Sequence, residues 1–310
     1  MKKILITGSN GLLGQKLVYK LKEKSNIECI ATARGENRLV NKVGYEYAQV
    51  DITNYENVND VFEKYMPDVV INTAAMTNVD ACETDKEHCW LLNVTAVQNQ
   101  VSVLEKLSKE NTNYKPQFIH LSTDFIFDGT HGPLDENEVP NPLSYYAESK
   151  LAAEKIVQAS TLHWAMARTV LVYGIVDNMS RSNIVLWVKQ SLEQGKTINV
   201  VDDQYRTPTL AEDLADGCIL IAEKNAQGIY NISGKDFLNI LEVAHLVADY
   251  YKLDKSLIKP SKSADIKQPA KRPPITGFII DKAIRDLGYN PHSFTEGIQF
   301  LEEQLKQMGV

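Results

Sequence analysis

The feature that most constrains this chain is a repeated alternation of short, β-rich apolar runs with stretches whose apolar residues recur at helical spacing. "KILIT" (3–7) precedes the helical "LLGQKLVYKLKEK" (12–24). "IECIATAR" (27–34) is followed by "YEYAQVDITN" (45–54), whose strand is expected to end at Asp51, and then by the helical "YENVNDVFEKYM" (55–66). "PDVVINTAA", "PQFIHLSTDFIF" and "HWAMARTVLVYG" read as further strands, separated by helical stretches at 85–111 and 145–159. Strands that alternate with helices imply right-handed crossovers and a parallel sheet covered on both faces. The expected fold class is therefore α/β, a doubly wound parallel Rossmann sheet.

Beyond residue 175 the rhythm changes. Helical runs at 182–195, 210–224, 239–251, 280–291 and 294–309 are joined by the short strands "KTINVV" and "GIYNIS" and by a basic, proline-rich loop, "KPSKSADIKQPAKRPPITGF". These segments predict a smaller α/β substrate-binding unit from 175–204 and 231–310. Residues 1–174, with about 205–230, form the dinucleotide-binding unit.

Composition narrows the function classes. The length of 310 residues and 44% hydrophobic content are enough for a sizeable core. A net charge of −7 offers no global attraction to nucleic acid. No run of about 18 apolar residues is present, so no membrane span is expected. Four cysteines without metal-ligand spacing (Cys29, Cys82, Cys89, Cys218) suggest inert thiols in a reducing cytoplasm and no metal site.

"TGSNGLLG" places Gly8, Gly11 and Gly14 between the first strand and first helix. Glycines there allow a tight turn, close backbone approach to a pyrophosphate and close helix packing, and the helix N-terminus supplies N–H donors. A carboxylate at the end of the second strand would favour NAD; here stand Arg34 and Arg38, which suit a 2′-phosphate. NADPH is the expected cofactor, with NADH as the second option. Asp51 is expected near adenine, and the small residues of "NTAAM" (72–76) beside the ribose and nicotinamide.

"SYYAESK" (144–150) carries the proton chemistry. Residues four apart on a helix share a face, about 5–6 Å between Cβ atoms, so Tyr146 pairs with Lys150 and Tyr145 does not. A neighbouring ammonium favours phenolate and fits the phenol for proton exchange with a substrate oxygen. "LSTDF" brings Thr123 and Asp124 to the same sheet edge, where the threonine hydroxyl can donate to the carbonyl that Tyr146 protonates. His120 reads as a satisfied core residue, and Asp80 and Glu83 as charges that cap the following helix.

Taken in order, "TGSNGLLG", "VINTAAMTNVDACE", "LSTDFIFDG", "NPLSYYAESKLAAE", "RTVLVYG", "DQYRTPTLAEDLA" and "GIYNISG" resemble the dTDP-4-dehydrorhamnose reductase family of the extended short-chain dehydrogenase/reductases. The resemblance implies hydride transfer from a nicotinamide to the C4 ketone of a nucleotide-linked 6-deoxy-4-keto sugar. It assigns Tyr146 as proton donor, Lys150 to the nicotinamide ribose and Thr123 to the ketone. It places Gly11, Leu12 and Leu13 at the phosphates, Asp51 and Ile52 near adenine, Ala74, Ala75 and Met76 near the ribose, and Thr123 and Asp124 at the sugar.

Related dehydratases carry an acidic pair after the threonine, whereas Phe125 follows Asp124 here, which disfavours dehydration. Arg206, in "DQYRTPT", replaces a small residue of the family pattern and is expected to grip the substrate diphosphate; Lys271 and Arg272 are further phosphate candidates. An epimerase or epimerase-reductase is the second enzymatic reading. A regulatory subunit resembling the methionine adenosyltransferase β subunit is the non-catalytic one. The expected partner is a nucleotide sugar, and a homodimer is compatible with the sequence.

Overall fold

The computed structural model describes residues 1–178 and 182–308. Gly309, the last residue of the expected C-terminal helix, lies outside them.

Six strands enter in chain order: β1 (Lys2–Thr7), β2 (Ile27–Ala33), β3 (Glu46–Gln49), β4 (Val69–Asn72), β5 (Gln117–Thr123) and β6 (His163–Thr169). With the edge strand Gly228–Asn231 they form a seven-stranded sheet, ordered edge strand, β6, β5, β4, β1, β2, β3, in which every pairing is parallel. Continuous apolar runs such as Ile4, Leu5 and Ile6 suit this setting, because a sheet covered by helices buries both faces of each strand. Helices Leu12–Leu21, Ala211–Glu223 and Asp281–Leu287 cover one face around Ile4, Ile6, Ile71 and Ile119. Helices Tyr55–Tyr65, Ala96–Glu110 and Tyr145–Ala159 cover the other around Leu5, Val70, Phe118 and Met166. The chain reverses its direction of sheet growth between β1 and β4, which opens a crevice at their carboxyl ends.

A second core holds Val185, Val188, Val243, Val247, Ile298 and Leu301. It lies among helices Ile184–Glu193, Ile240–Tyr251 and Phe294–Met308, and the parallel pair Ile198–Val201 with Ile258–Ser261. One segment departs from the expected division: Phe278, Ile280, Ala283, Leu287 and Tyr289 pack into the core of the main sheet. The reason is length. An extended strap, about 266–278, carries the chain back to the main sheet before the helix Asp281–Leu287 begins. The strap is held by Ala270 N–H to Asp80 Oδ1 (3.1 Å), Tyr205 N–H to the Pro274 carbonyl (2.7 Å), Ile275 N–H to the Gly129 carbonyl (3.2 Å) and Leu134 N–H to the Gly277 carbonyl (2.7 Å).

Among the described residues no helix is long and apolar enough to cross a membrane. All four cysteines are buried and unpaired.

Candidate active site

The turn after β1 needs its glycines. Gly8 has φ +75°, and a Cβ there would stand 2.8 Å from Ala74 N at the end of β4. A Cβ on Gly14 would meet the Gly8 carbonyl oxygen at 2.3 Å. Gly11 caps helix Leu12–Leu21 without a side chain, so the first N–H groups of that helix face the crevice uncapped. Ser9 Oγ in this turn and Ser122 Oγ near the end of β5 are buried without a protein partner. Small residues, open donors and two orphan hydroxyls at the carboxyl edge fit a dinucleotide.

The adenosine candidates gather at the far end of the same edge. Arg34 is exposed just beyond β2. Asp51 lies two residues past β3 and accepts from Thr53 N–H (3.0 Å) and Thr53 Oγ1 (2.6 Å) through one oxygen. Burial opposes its ionisation, but those hydrogen bonds and the nearby Arg34 charge outweigh it and hold the carboxyl below its usual range. The Ile52 carbonyl accepts from Asn99 Nδ2 (3.1 Å), which fixes the loop on helix Ala96–Glu110.

Ser144 caps helix Tyr145–Ala159 by accepting from Ala147 N–H, and this places Tyr146 in the first turn with Lys150 one turn on. The two tyrosines separate as helical spacing requires. Tyr145 packs outward on Trp90 (6.2 Å between ring centroids) beneath the Lys86 ammonium (5.0 Å). Tyr146 is 8% exposed, meets Phe125 edge-on (6.1 Å, 78°) and has Thr123 close to its hydroxyl. Burial drives the phenol's pKa up, and the Thr123 contact offsets this only in part, so Tyr146 rests as the protonated acid. Lys150 is also buried; its ammonium donates to the Leu121 carbonyl (2.6 Å) and approaches His120 Nε2 (3.3 Å). Desolvation lowers its pKa to about 8, opposed by the Glu154 charge.

Thr123 accepts from Phe125 N–H (3.2 Å) and donates to Asp124 Oδ1 (3.1 Å). Asp124 is 2% exposed and turns inward: its other oxygen accepts from Thr276 Oγ1 and lies 3.6 Å from Arg206 Nε. Burial raises its carboxyl pKa against the Arg206 charge. Arg206 is 3% exposed, so it does not stand open to a diphosphate. Its guanidinium donates to the carbonyls of Pro273 (2.7 Å), Pro274 (3.0 Å) and Tyr205 (2.7 Å). The physical reason is the strap, whose Pro273 and Pro274 carbonyls take the donors a surface arginine would have offered.

Asn93 was not foreseen. It lies in the π-helical turn Leu91–Thr95, donates to the Met76 carbonyl (3.1 Å), accepts from Met76 N–H (2.8 Å) and donates to Ser149 Oγ (3.0 Å). One side chain thus fixes the end of β4 to the helix bearing Tyr146. The available signal was an asparagine inside the apolar run "LLNVTAV". Asp80 does charge the first turn of a helix, as expected, but neither it nor Glu83 is that helix's cap. Asn78 caps helix Val79–Thr84, while Asp80 pairs bidentately with Arg272 of the strap (3.2 and 2.7 Å) and Glu83 accepts from Tyr145 N–H (2.7 Å).

The family described as RmlD substrate binding domain matches residues 1–307. A probable low-salt glycan biosynthesis reductase, Agl14 of Haloferax volcanii, is 29% identical over 299 residues, 96% of each chain. The methionine adenosyltransferase 2 subunit beta of Rattus norvegicus is 30% identical over 264 residues, 84% of this chain and 75% of that one. A dTDP-4-dehydrorhamnose reductase from Clostridium acetobutylicum superposes with a TM-score of 0.84 at 27% identity, covering 98% of this chain and 99% of that one.

Proposed function

Since the chain belongs to the RmlD substrate-binding-domain family, we propose that it reduces the C4 ketone of a nucleotide-linked 6-deoxy-4-keto sugar, using NADPH. The observation that carries this reading is the buried Tyr146 phenol one helical turn before the buried Lys150 ammonium, which is itself anchored to the strand that ends at Thr123. A bound reduced nicotinamide supplies the hydride.

The chain's own residues do the rest. Gly8, Gly11 and Gly14 admit the dinucleotide backbone, Leu12 and Leu13 offer helix N-terminal N–H groups to its phosphates, and Arg34 meets the 2′-phosphate. Asp51 and Ile52 line the adenine end, and Ala74, Ala75 and Met76 border the ribose. Tyr146 gives its proton to the oxygen that becomes the alcohol, and Thr123 holds the developing charge from the other side. Asp124 orients Thr123, and Arg206 keeps Asp124 and the strap in place from beneath.

The test is NADPH oxidation, followed by absorbance, against a panel of nucleotide-linked 4-keto sugars. Stoichiometric NADPH loss supports reduction. Interconversion of sugars with no net NADPH loss would replace this reading with epimerisation. NADPH binding without turnover of any sugar, together with a biological role that survives Tyr146→Phe, would favour a regulatory subunit, a reading that the 30% identity to the methionine adenosyltransferase subunit keeps in view.

A further inference from the structure

A row of polar side chains crosses three adjacent strands behind the site. Thr7 of β1, Asn72 of β4 and His120 of β5 are register partners, all at most 1% exposed. Thr7 Oγ1 lies 2.6 Å from Asn72 Oδ1, Asn72 Nδ2 lies 3.1 Å from His120 Nδ1, and His120 Nε2 lies 3.3 Å from Lys150 Nζ. The ring is stacked on the apolar Phe118 (6.4 Å, 9°). Packing alone would be served by a hydrocarbon here, and an imidazole taken from water needs both nitrogens partnered. Both are partnered, and one partner is the site lysine.

We propose that His120 is a positioning residue: its Nε2 accepts from the Lys150 ammonium and, with the Leu121 carbonyl, leaves the remaining ammonium N–H aimed at the cofactor ribose. This rests on the reading that Lys150 meets the cofactor. Two of the three N–H bonds of the ammonium are taken by groups of β5, which fixes the third. A neutral imidazole has one N–H and one acceptor nitrogen. While Lys150 is charged, Nε2 accepts and Nδ1 carries the proton, so the Asn72 amide is turned over from the orientation given above and presents its oxygen to Nδ1 and its NH2 to Thr7 Oγ1. When Lys150 becomes a free amine, Nε2–H donates to it and Asn72 presents its NH2 to Nδ1 and its oxygen to Thr7. The tautomer of His120 therefore reports the charge of Lys150. Burial keeps His120 neutral, with its pKa far below the ordinary value, and the Lys150 charge adds to this. The other titratable groups facing Lys150 are Glu154 and Tyr146 on its own helix and Cys89 from helix Lys86–Trp90. Glu154 accepts from Arg168 Nε and Nη2 at 2.9 and 2.7 Å.

Two measurements on the full chain test this. The first is the Kd of NADPH by fluorescence from roughly pH 6 to 10 for wild type, His120→Gln and His120→Phe, with folding checked by circular dichroism. Wild-type binding should weaken as Lys150 deprotonates. Without an acceptor for the ammonium, His120→Phe should bring that midpoint down by about one pH unit and weaken binding several-fold at neutral pH. His120→Gln, which keeps an acceptor oxygen, should restore the wild-type midpoint. The second is the 15N spectrum of His120 without cofactor. Its proton should move from Nδ1 to Nε2 over the pH range in which Lys150 titrates, and Lys150→Met should abolish that change. A His120→Phe midpoint equal to wild type, a His120→Gln midpoint equal to His120→Phe, or a tautomer indifferent to pH overturns the proposal. Failure of wild type to bind NADPH refutes the cofactor reading instead, and the spectrum still decides whether His120 and Lys150 are coupled.

Discussion

Replacing Arg206 with methionine should destabilise the chain strongly at neutral pH and leave an acid-sensitive trace. Arg206 neutralises the buried Asp124 carboxylate at 3.6 Å and satisfies the carbonyls of Tyr205, Pro273 and Pro274. Breaking a buried ion pair by removing one partner costs about 3–5 kcal/mol, because the other charge remains desolvated. At about 2 °C per kcal/mol, the low end for larger domains, this corresponds to a Tm loss of roughly 6–10 °C at pH 7. The pH dependence has a definite sign. Asp124 already has a raised pKa through burial, and losing the guanidinium raises it further. A group whose folded pKa exceeds its unfolded value contributes stability that is present below the unfolded pKa and lost as pH rises through the folded one. The variant should therefore regain part of its deficit, relative to wild type, as pH falls from neutrality toward the unfolded carboxylate value of about 4. Arg206→Met/Asp124→Asn should recover much of the loss at neutral pH. Differential scanning fluorimetry of the four proteins of this cycle measures it. A Tm for Arg206→Met within about 2 °C of wild type at pH 7, or a double variant no more stable than the single one, would refute the reasoning.

Three further outcomes are expected. Tyr146→Phe should reduce turnover by about 10²–10⁴-fold while the Kd of NADPH changes little, read from initial rates beside a binding titration. Gly14→Ala puts a methyl group 2.3 Å from the Gly8 carbonyl, so the turn must shift; thermal stability should fall by about 1–3 kcal/mol and NADPH binding with it. Asp80→Ala removes a half-exposed pair with Arg272, so global stability should change by less than about 1 kcal/mol. Hydrogen exchange across residues 268–276 should nevertheless accelerate, because Ala270 N–H and Arg272 both lose their anchor.

The parts of this molecule that were legible in advance are those governed by local spacing. Apolar runs bounded by turns marked the strands, the glycines of "TGSNGLLG" marked the first crossover, and a separation of four placed Tyr146 over Lys150. What escaped is set by residues far apart in the chain. Nothing near Arg206 in sequence announces that three carbonyls and a buried carboxylate will surround it, since two of those carbonyls belong to Pro273 and Pro274. Asp80 was assigned to the nearest helix end, whereas its partner lies 192 residues away. His120 was correctly placed in the core, but its contact with Lys150 joins a strand to the helix covering it, and either element alone reads as ordinary packing. Asn93 depends on a π-helical turn, whose single extra residue leaves no periodic signature.

The strap has a consequence for how the protein comes into being. On the ribosome, β1 through the helix bearing Tyr146 emerge well before residues 266–289, yet these late residues supply Thr276 to Asp124, Arg272 to Asp80 and the helix that completes one face of the sheet. A nascent chain stopped short of them has its tyrosine, lysine and glycine turn in hand, but a sheet with one face only partly covered and an aspartate without its full set of partners. The site is thus finished only after residues 266–289 have emerged.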